Sequence, residues 1–387
     1  MPSPQYKIEI LSKTGSFITP IQVLAPINAA GDTMSLTFRL SNWGQLKFRV
    51  ATKDPLFTTV GDVLQPYNYH VRVKRAGSVI WQGVIIKNPT RNNRYVEVVA
   101  YSYLFLFSKV LIRHDASVTT GDGLDNYRTF NTGLMSDAVN SIVTQARDDV
   151  QGTNILSNLT IGTIENPNYP SGYSKPDGTA LTGTWNFSSD LALQYDYRSS
   201  FYVIGSMALY TACDFELTKD LVFNYEQFLG NKNQTKTFTY GPFGNVLSYD
   251  APLDGEAMAN VLTGVASDYG NQLLHVEQSD QSAVALYGRV QDVSAYSDVK
   301  NINALKSRMN EELRLVSSPD SEIHLELNQR APELGEYSIG DVITVDINDY
   351  VVKYRNQPRR IVGINIRISN TGMEHVTLIT NKPKDGI

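Results

Sequence analysis

Apolar and polar residues alternate over most of the first hundred positions. Val71 and Val73 stand against Arg72 and Lys74, and Val96 and Val98 flank Glu97. A period of two is the pattern of a strand with one buried face. It predicts strands at Lys7–Leu11, Ile21–Leu24, Ser35–Leu40, Gly44–Val50, Tyr69–Lys74, Val79–Lys87 and Tyr95–Tyr101. From 105 to 115 the chain leaves this sheet. The pattern then changes to helical spacing: Ala138, Ile142, Val143 and Ala146 predict a helix over Met135–Val150, with Ser136 and Asp137 placed to cap it. A second helix is predicted over Arg198–Ala212, followed by short strands at 214–217 and 221–223. Strands are expected again at Val246–Ala251, Ala259–Ala266 and Gln272–Glu277. Val299, Ile302, Leu305, Met309 and Leu313 predict the clearest helix, over Ser294–Glu312, stopped by the Ser-Ser-Pro-Asp turn at 317–320. A β-module closes the chain from Ser321 to about Thr380.

The two ends of the chain resemble one another. Val60-Gly61-Asp62-Val63-Leu64 opens a β run that passes Gly83, and Ile339-Gly340-Asp341-Val342-Ile343 opens one that passes Gly363. Gly61 to Gly83 is 22 positions and Gly340 to Gly363 is 23, and in both copies apolar residues stand 13 and 15 positions beyond the second glycine. Self-similarity at fixed offsets is the mark of duplicated architecture. Two copies make a pair of related domains rather than a solenoid. Gly83 and Gly363 fall inside strand-like runs, where glycine marks a bulge, a bend or a close backbone approach. Strongly bent strands suit a small barrel.

At 387 residues the chain can hold two to four domains. Its formal net charge of −5 gives no sign of a nucleic-acid surface driven by bulk charge. The 22 tyrosines against 3 tryptophans favour strands and contact surfaces. A single cysteine, Cys213, rules out an internal disulfide and a cysteine zinc site, and its apolar neighbours mark it as a buried thiol. No secretory signal is visible, and no stretch reaches the ~18 apolar residues of a membrane helix, so no membrane anchor is expected.

Little chemistry is legible. His70, His114, His275, His324 and His375 are scattered and lack the spacing of a zinc protease. There is no nucleophile elbow and no phosphate loop. Gly121-Asp122-Gly123-Leu124-Asp125 lacks the alternation of a calcium loop and reads as a turn. Asp214 with Glu216, and Glu311 with Glu312, are the carboxylate pairs a glycosidase would need across a cleft. Asp292, Asp298, Glu311 and Glu312 read instead as a solvated face. The expectation is therefore of no catalytic, cofactor-binding or metal residue, no cofactor, and a protein that is not an enzyme. The irregular stretch 151–187 is either a contact loop or an ornamental insertion.

The order of these elements, with Ile80-Trp81-Gln82-Gly83-Val84-Ile85, Glu97-Val98-Val99-Ala100-Tyr101, Leu221-Val222-Phe223, Val261-Leu262-Thr263-Gly264, Tyr287-Gly288-Arg289, Glu322 to Leu327, Ile339-Gly340-Asp341-Val342 and Arg360-Ile361-Val362-Gly363-Ile364, resembles the tail-hub proteins of tailed bacteriophages, including the baseplate hub of contractile tails. The resemblance covers most of the chain. It implies a mainly β fold with α+β insertions: two tail-tube-like β-barrel domains separated by α+β domains. The expected division is a first barrel at 1–105, an α+β middle domain at 106–245, a joining β segment at 246–290, and a helix with the second barrel at 291–387. The resemblance further implies a virion protein at the distal end of the tail, made in the host cytoplasm. Three chains would form a pseudo-hexameric ring that adapts a six-fold tube to a three-fold tip and closes or lines the DNA channel. Its implied partners are two further copies, a distal tail protein or tail-tube ring, the tape measure protein, and a tail-tip spike or receptor-binding fibre. DNA would pass through the lumen without specific binding. The chain stops at Ile387, soon after the last predicted strand, so lytic or adhesive work is expected of a partner. Two rival readings are a distal tail protein forming a hexameric ring and a carbohydrate-active cell-wall hydrolase.

Overall fold

The structure is a computed structural model that describes residues 5–60, 64–112, 127–130, 132–149, 155–169, 182–187, 193–196, 198–233, 236–252, 255–256, 258–267, 273–296, 299, 302–319, 322–349 and 352–383. The Gly61-Asp62-Val63 landmark, His114, the 121–125 turn, Asp298 and much of the 151–187 stretch lie outside these residues.

The alternating N-terminal pattern forms a barrel. Its strands are β1 (Tyr6–Ser12), β2 (Phe17–Pro20), β3 (Leu24–Ala25), β4 (Asp32–Arg39), β5 (Gln45–Ala51), β6 (Tyr69–Arg75), β7 (Ser78–Lys87) and β8 (Tyr95–Ser102), with a short helix α1 (Leu56–Val60). β1, β6, β7, β8 and β5 are successive antiparallel neighbours. The β2–β3 segment closes the ring: Ile21 N donates to Ile8 O at 2.9 Å, and Ala51 N donates to Val23 O at 3.0 Å. Ile10, Phe48, Val50, Val71, Val73, Ile85 and Val98 fill the interior, every second residue of their strands. The outward positions carry charge. Glu9 sits between Arg72 (2.7 Å) and Lys74 (2.8 Å), and Glu97 between Arg49 (2.7 Å) and Lys47 (2.9 Å). Burial opposes ionisation of both carboxyls, but hydrogen bonds and charge from the paired cations outweigh it and hold them below the usual carboxylate range.

The chain then leaves the barrel through a 3₁₀ turn at Tyr103–Lys109 whose residues Tyr103 to Phe107 are buried in the middle region. That region contains β9 (Tyr127–Phe130), β10 (Gly133–Leu134), α2 (Met135–Asp148), β11 (Thr160–Ile164), β12 (Asn186–Phe187), β13 (Leu193–Asp196), α3 (Ser200–Thr211), β14 (Asp214–Leu217) and β15 (Val222–Glu226). β11, β15 and β14 form a sheet, and β9–β13 and β10–β12 form two short ladders. α2 begins one residue before its expected cap and has no side-chain cap bond; Asp137 lies in its first turn, where a carboxylate suits the helix dipole. α3 is capped by Ser199, whose Oγ accepts from Tyr202 N at 3.2 Å.

The second barrel is assembled from distant segments: β16 (Thr237–Tyr240) and β17 (Val246–Asp250) come first. A satellite unit follows, with β18 (Val261–Ser267), β19 (Leu273–Ser279), α4 (Gln281–Tyr287), β20 (Gln291–Ala295) and α5 (Ile302–Val316). β21 (Ile323–Leu327), β22 (Val342–Asn348), β23 (Lys353–Ser369) and β24 (Glu374–Asn381) complete the barrel. The ring order β22-β23-β24-β21-β17-β16 closes back on β22. The expected mainly β architecture is therefore present. The helix expected over 294–312 is corrected: 291–295 is a strand paired in parallel with β18, and the helix starts at Ile302. Sheet pairing overrides helical spacing there. Leu305, Met309 and Leu313 do face inward, and Gly264 of β18 admits the helix, since a Cβ there would lie 2.3 Å from Met309 Sδ.

Five strands share a neighbour order, β4-β5-β8-β7-β6 in the first barrel and β17-β21-β24-β23-β22 in the second. Closure differs, through β1 and the β2–β3 segment in the first and through β16 in the second. Their registers differ. Gly83 stands opposite Ser102, whereas Gly363 stands opposite Ile379. The shared glycine spacing is therefore not a shared register. Gly83 allows the backbone of Tyr101 to approach, since a Cβ would lie 2.2 Å from Tyr101 O. Gly363 sits where the β23–β24 pairing shifts register.

Candidate functional site

The two barrels are joined edge to edge. β4 bonds β5 on one side and the second half of β23 on the other, antiparallel, from Gly363 opposite Arg39 to Ser369 opposite Asp32. Leu40 N donates to Val362 O at 3.0 Å and Asn370 N to Gly31 O at 2.9 Å, extending the seam at both ends. β23 can serve both barrels because it is 17 residues long: its first half pairs with β22 and its second half with β4. A polar clamp adds a second contact. Glu374 accepts from Tyr6 Oη at 2.6 Å and from Arg75 Nε at 2.9 Å. Burial, reinforced by the Glu374 carboxylate, pushes the Tyr6 hydroxyl well above its ordinary value, so it stays a donor.

A buried lock ties the second barrel to the middle region. Arg360 of β23 bonds Asp214 of β14 at 2.6 Å, and both side chains are almost wholly buried. The same guanidinium donates to Gly340 O (2.9 Å) and Leu229 O (2.7 Å) and stacks 3.8 Å from the Phe228 ring. The 229–231 linker lies directly on the Gly340-Asp341 turn. Gly230 (φ 98°) and Gly340 (φ 91°) meet backbone to backbone, and a Cβ on Gly340 would lie 2.1 Å from Leu229 O. Asp341 accepts from Asn231 N at 2.7 Å and Ser338 N at 2.8 Å.

Beside this lock the β4–β5 turn enters the middle region. Trp43 packs against Phe201 (4.7 Å between centroids) and Phe105 (5.3 Å), and Ser41 Oγ accepts from Phe215 N. An open cleft of about 720 Å³ lies there, walled by Trp43, Phe201, Tyr202 and Leu209 with Arg308 and Lys382 among its polar lining.

No family model matches the chain, and no curated protein matches it in sequence. Solved structures do match over nearly the whole length. The tail protein from Neisseria meningitidis MC58 aligns with a TM-score of 0.61 at 10% identity, covering 99% of this chain and 97% of that one. The 43 kDa tail protein of prophage MuSo2 from Shewanella oneidensis aligns at 0.59 and 9% identity, covering 98% of each. The chain has a phage tail-protein fold. A third such tail protein, gp18 of a Listeria monocytogenes EGD-e prophage, aligns at 0.53 and 10% identity over 98% of this chain and 95% of that one.

Within this tail-protein fold the residues weighed for chemistry are mostly occupied or apart. Asp214 holds Arg360, while Glu216 accepts from Asn224 Nδ2 at 2.9 Å. Glu312 accepts from Ser294 Oγ and Tyr296 Oη, both at 2.5 Å; the side chain of Glu311 lies outside the description. His70 is buried, and burial lowers its pKa to about 4. His275, His324 and His375 lie on three separate strands, and His324 Nε2 lies 3.8 Å from Glu322 Oε2. Cys213 is buried. Among the described residues, no group of three His, Cys, Asp or Glu is placed to hold a metal. The residues that build the joints, Arg360, Glu374, Tyr6 and Trp43, were missed as functional by sequence reasoning. Gly340 and Asp341 had a signal, as a turn, and Asp214 had one as half of a carboxylate pair.

Proposed function

We propose that this chain is a structural virion protein whose three copies form a pseudo-hexameric hub ring at the distal end of a phage tail. The observation that carries the reading is the side-by-side pair of barrels that share the order of five strands, joined in one continuous sheet by β4 and β23. Three such chains present six similar barrels, which is how a three-fold assembly meets a six-fold tube. In this reading the first barrel (1–105) and the second barrel (237–250 with 322–387) form the ring. The middle region (106–236) and the satellite unit (251–321) lie outside the barrels. The ring docks to a distal tail protein or tail-tube ring on one side and to a spike or fibre on the other, with the tape measure protein threaded through. The mildly acidic chain suits a lumen through which DNA slides, because a basic wall would hold phosphates.

The test is the solution mass of the purified full chain by light scattering, with negative-stain images. A three-chain ring with a central hole supports the hub. A six-chain ring favours a distal tail protein instead. A monomer at every concentration, together with hydrolysis of purified cell wall that is lost in Glu312→Gln, would move the chain to the enzymes.

A further inference from the structure

The seam inside the chain has an unpartnered counterpart on the second barrel. In the first barrel β4 carries the seam, and the turn before it (26–31) meets the β23–β24 turn through the Asn370–Gly31 hydrogen bond. The matching strand of the second barrel is β17, and the matching turn is Gly241-Pro242-Phe243-Gly244-Asn245. Among the described residues, no backbone hydrogen bond reaches the edge of β17 away from β21 beyond the single Tyr240–Val246 pairing. Two large apolar side chains at its start are open to solvent: Phe243 of the turn is 91% exposed and Leu247 of β17 is 58% exposed. A Phe held at the tip of a Gly-flanked turn gains nothing from the fold of its own chain, and clustered exposed apolar groups mark contact sites.

The same equivalence locates the receiving surface. If β17 plays the part of β4, the turn before it faces the β7–β8 turn (88–94) of another copy, as 26–31 faces 370–373 within the chain. Beside the β7–β8 turn lies an open pocket of about 490 Å³ lined by Thr52, Phe57, Arg91, Asn92 and Val96. We propose that Phe243 of one copy seats against Phe57 and Val96 in this pocket of the next copy and forms the between-chain seam. The inference rests on the ring reading above. The contact is heterologous, turn of one copy to pocket of the next, which is the type that closes into a ring. It also accounts for an asymmetry between the barrels. β7 ends at Lys87, far short of the reach of β23, and its Ile85 O already accepts from Tyr67 N at 2.9 Å. A long ladder like that of β4 with β23 has no room there, so a side-chain knob takes its place.

Two variants of the full chain test this. Phe243→Asp should raise the apparent dissociation constant of the trimer by about 30-fold or more, the loss expected of a central aromatic anchor, with unchanged circular dichroism. Phe243→Cys combined with Arg91→Cys should, on oxidation, give linked dimers and trimers on a non-reducing gel, with the buried Cys213 of the parent chain as control. If the wild type is a trimer, Phe243→Asp leaves it intact and the cysteine pair stays unlinked, the seam lies elsewhere and the ring reading survives. If the wild type never forms a trimer, the ring reading falls and the seam with it. Should Phe243→Asp misfold, the cysteine pair alone decides.

Discussion

Replacing Arg360 by Met should loosen the joint between the second barrel and the middle region without touching either core. The guanidinium is held by Asp214 at 2.6 Å, by two backbone carbonyls, Gly340 O at 2.9 Å and Leu229 O at 2.7 Å, and by the Phe228 face. Its loss leaves the Asp214 carboxylate in a site where its side chain is 4% exposed, with the Leu229 N–H at 3.0 Å still donating to it. Breaking one side of a buried ion pair costs about 3–5 kcal/mol, because the remaining charge is uncompensated. A loss of about 4 kcal/mol lowers the melting temperature by roughly 8–16 °C, at about 2–4 °C per kcal/mol for a unit of 150–250 residues. Calorimetry measures this, and limited proteolysis should cut the 227–233 linker faster in the variant. The control is Arg360→Met with Asp214→Leu, which removes both charges and should cost clearly less than Arg360→Met alone. A single variant within about 1 kcal/mol of the parent, or a double variant equal to the sum of the two singles, would refute the lock.

Two other outcomes are expected. Burial keeps His70 neutral in the folded protein down to a pKa of about 4, against an ordinary value of 6.5 in the unfolded chain. The unfolded state therefore binds more protons between these values. The contribution to stability is full above pH 6.5 and falls by up to about 3 kcal/mol as pH drops toward 4. Urea titrations from pH 7.5 to 4.5 should show this slope and should show it flattened in His70→Gln; parallel curves would remove His70 as the cause. Gly83→Ala should destabilise by about 2–3 kcal/mol, since its Cβ would meet the rigid Tyr101 carbonyl at 2.2 Å. Gly363→Ala should cost less, because its nearest obstacle is the flexible end of Arg39 at 2.8 Å. Chemical denaturation ranks the two, and the reverse order would show that the close approach at Gly83 is not what its glycine serves.

Local pattern was enough for much of the fold. Alternation of apolar and polar residues in Tyr69–Arg75 and Tyr95–Ser102 reported strands because the period of two belongs to each strand by itself, although Val96 to Ala100 are all buried in the fold. The helical spacing of Ala138, Ile142, Val143 and Ala146 reported α2 for the same reason. Both ends were legible as β-modules and both fold as barrels, although the glycine spacing that linked them is not a shared register. The pattern failed at 291–295, where the ladder to Val261–Val265 turned an apparent helix start into a strand. Nothing in the residues around Ser294 announces that partner.

The pairings at the joints were not legible. Tyr6 and Glu374 are 368 positions apart, and Arg360 and Asp214 are 146. Asp214 and Glu216 looked like a carboxylate pair because two residues on one strand share a face. Only packing showed that Asp214 meets Arg360 of the second barrel while Glu216 meets Asn224. The sequence by itself determined most of the strands and helices and that both ends are β-modules, because those depend on the periodicity of apolar residues along one element. Which edges meet, which charge neutralises which, and which aromatic is left facing solvent were decided by tertiary structure, because each depends on residues brought together only when distant strands share a sheet.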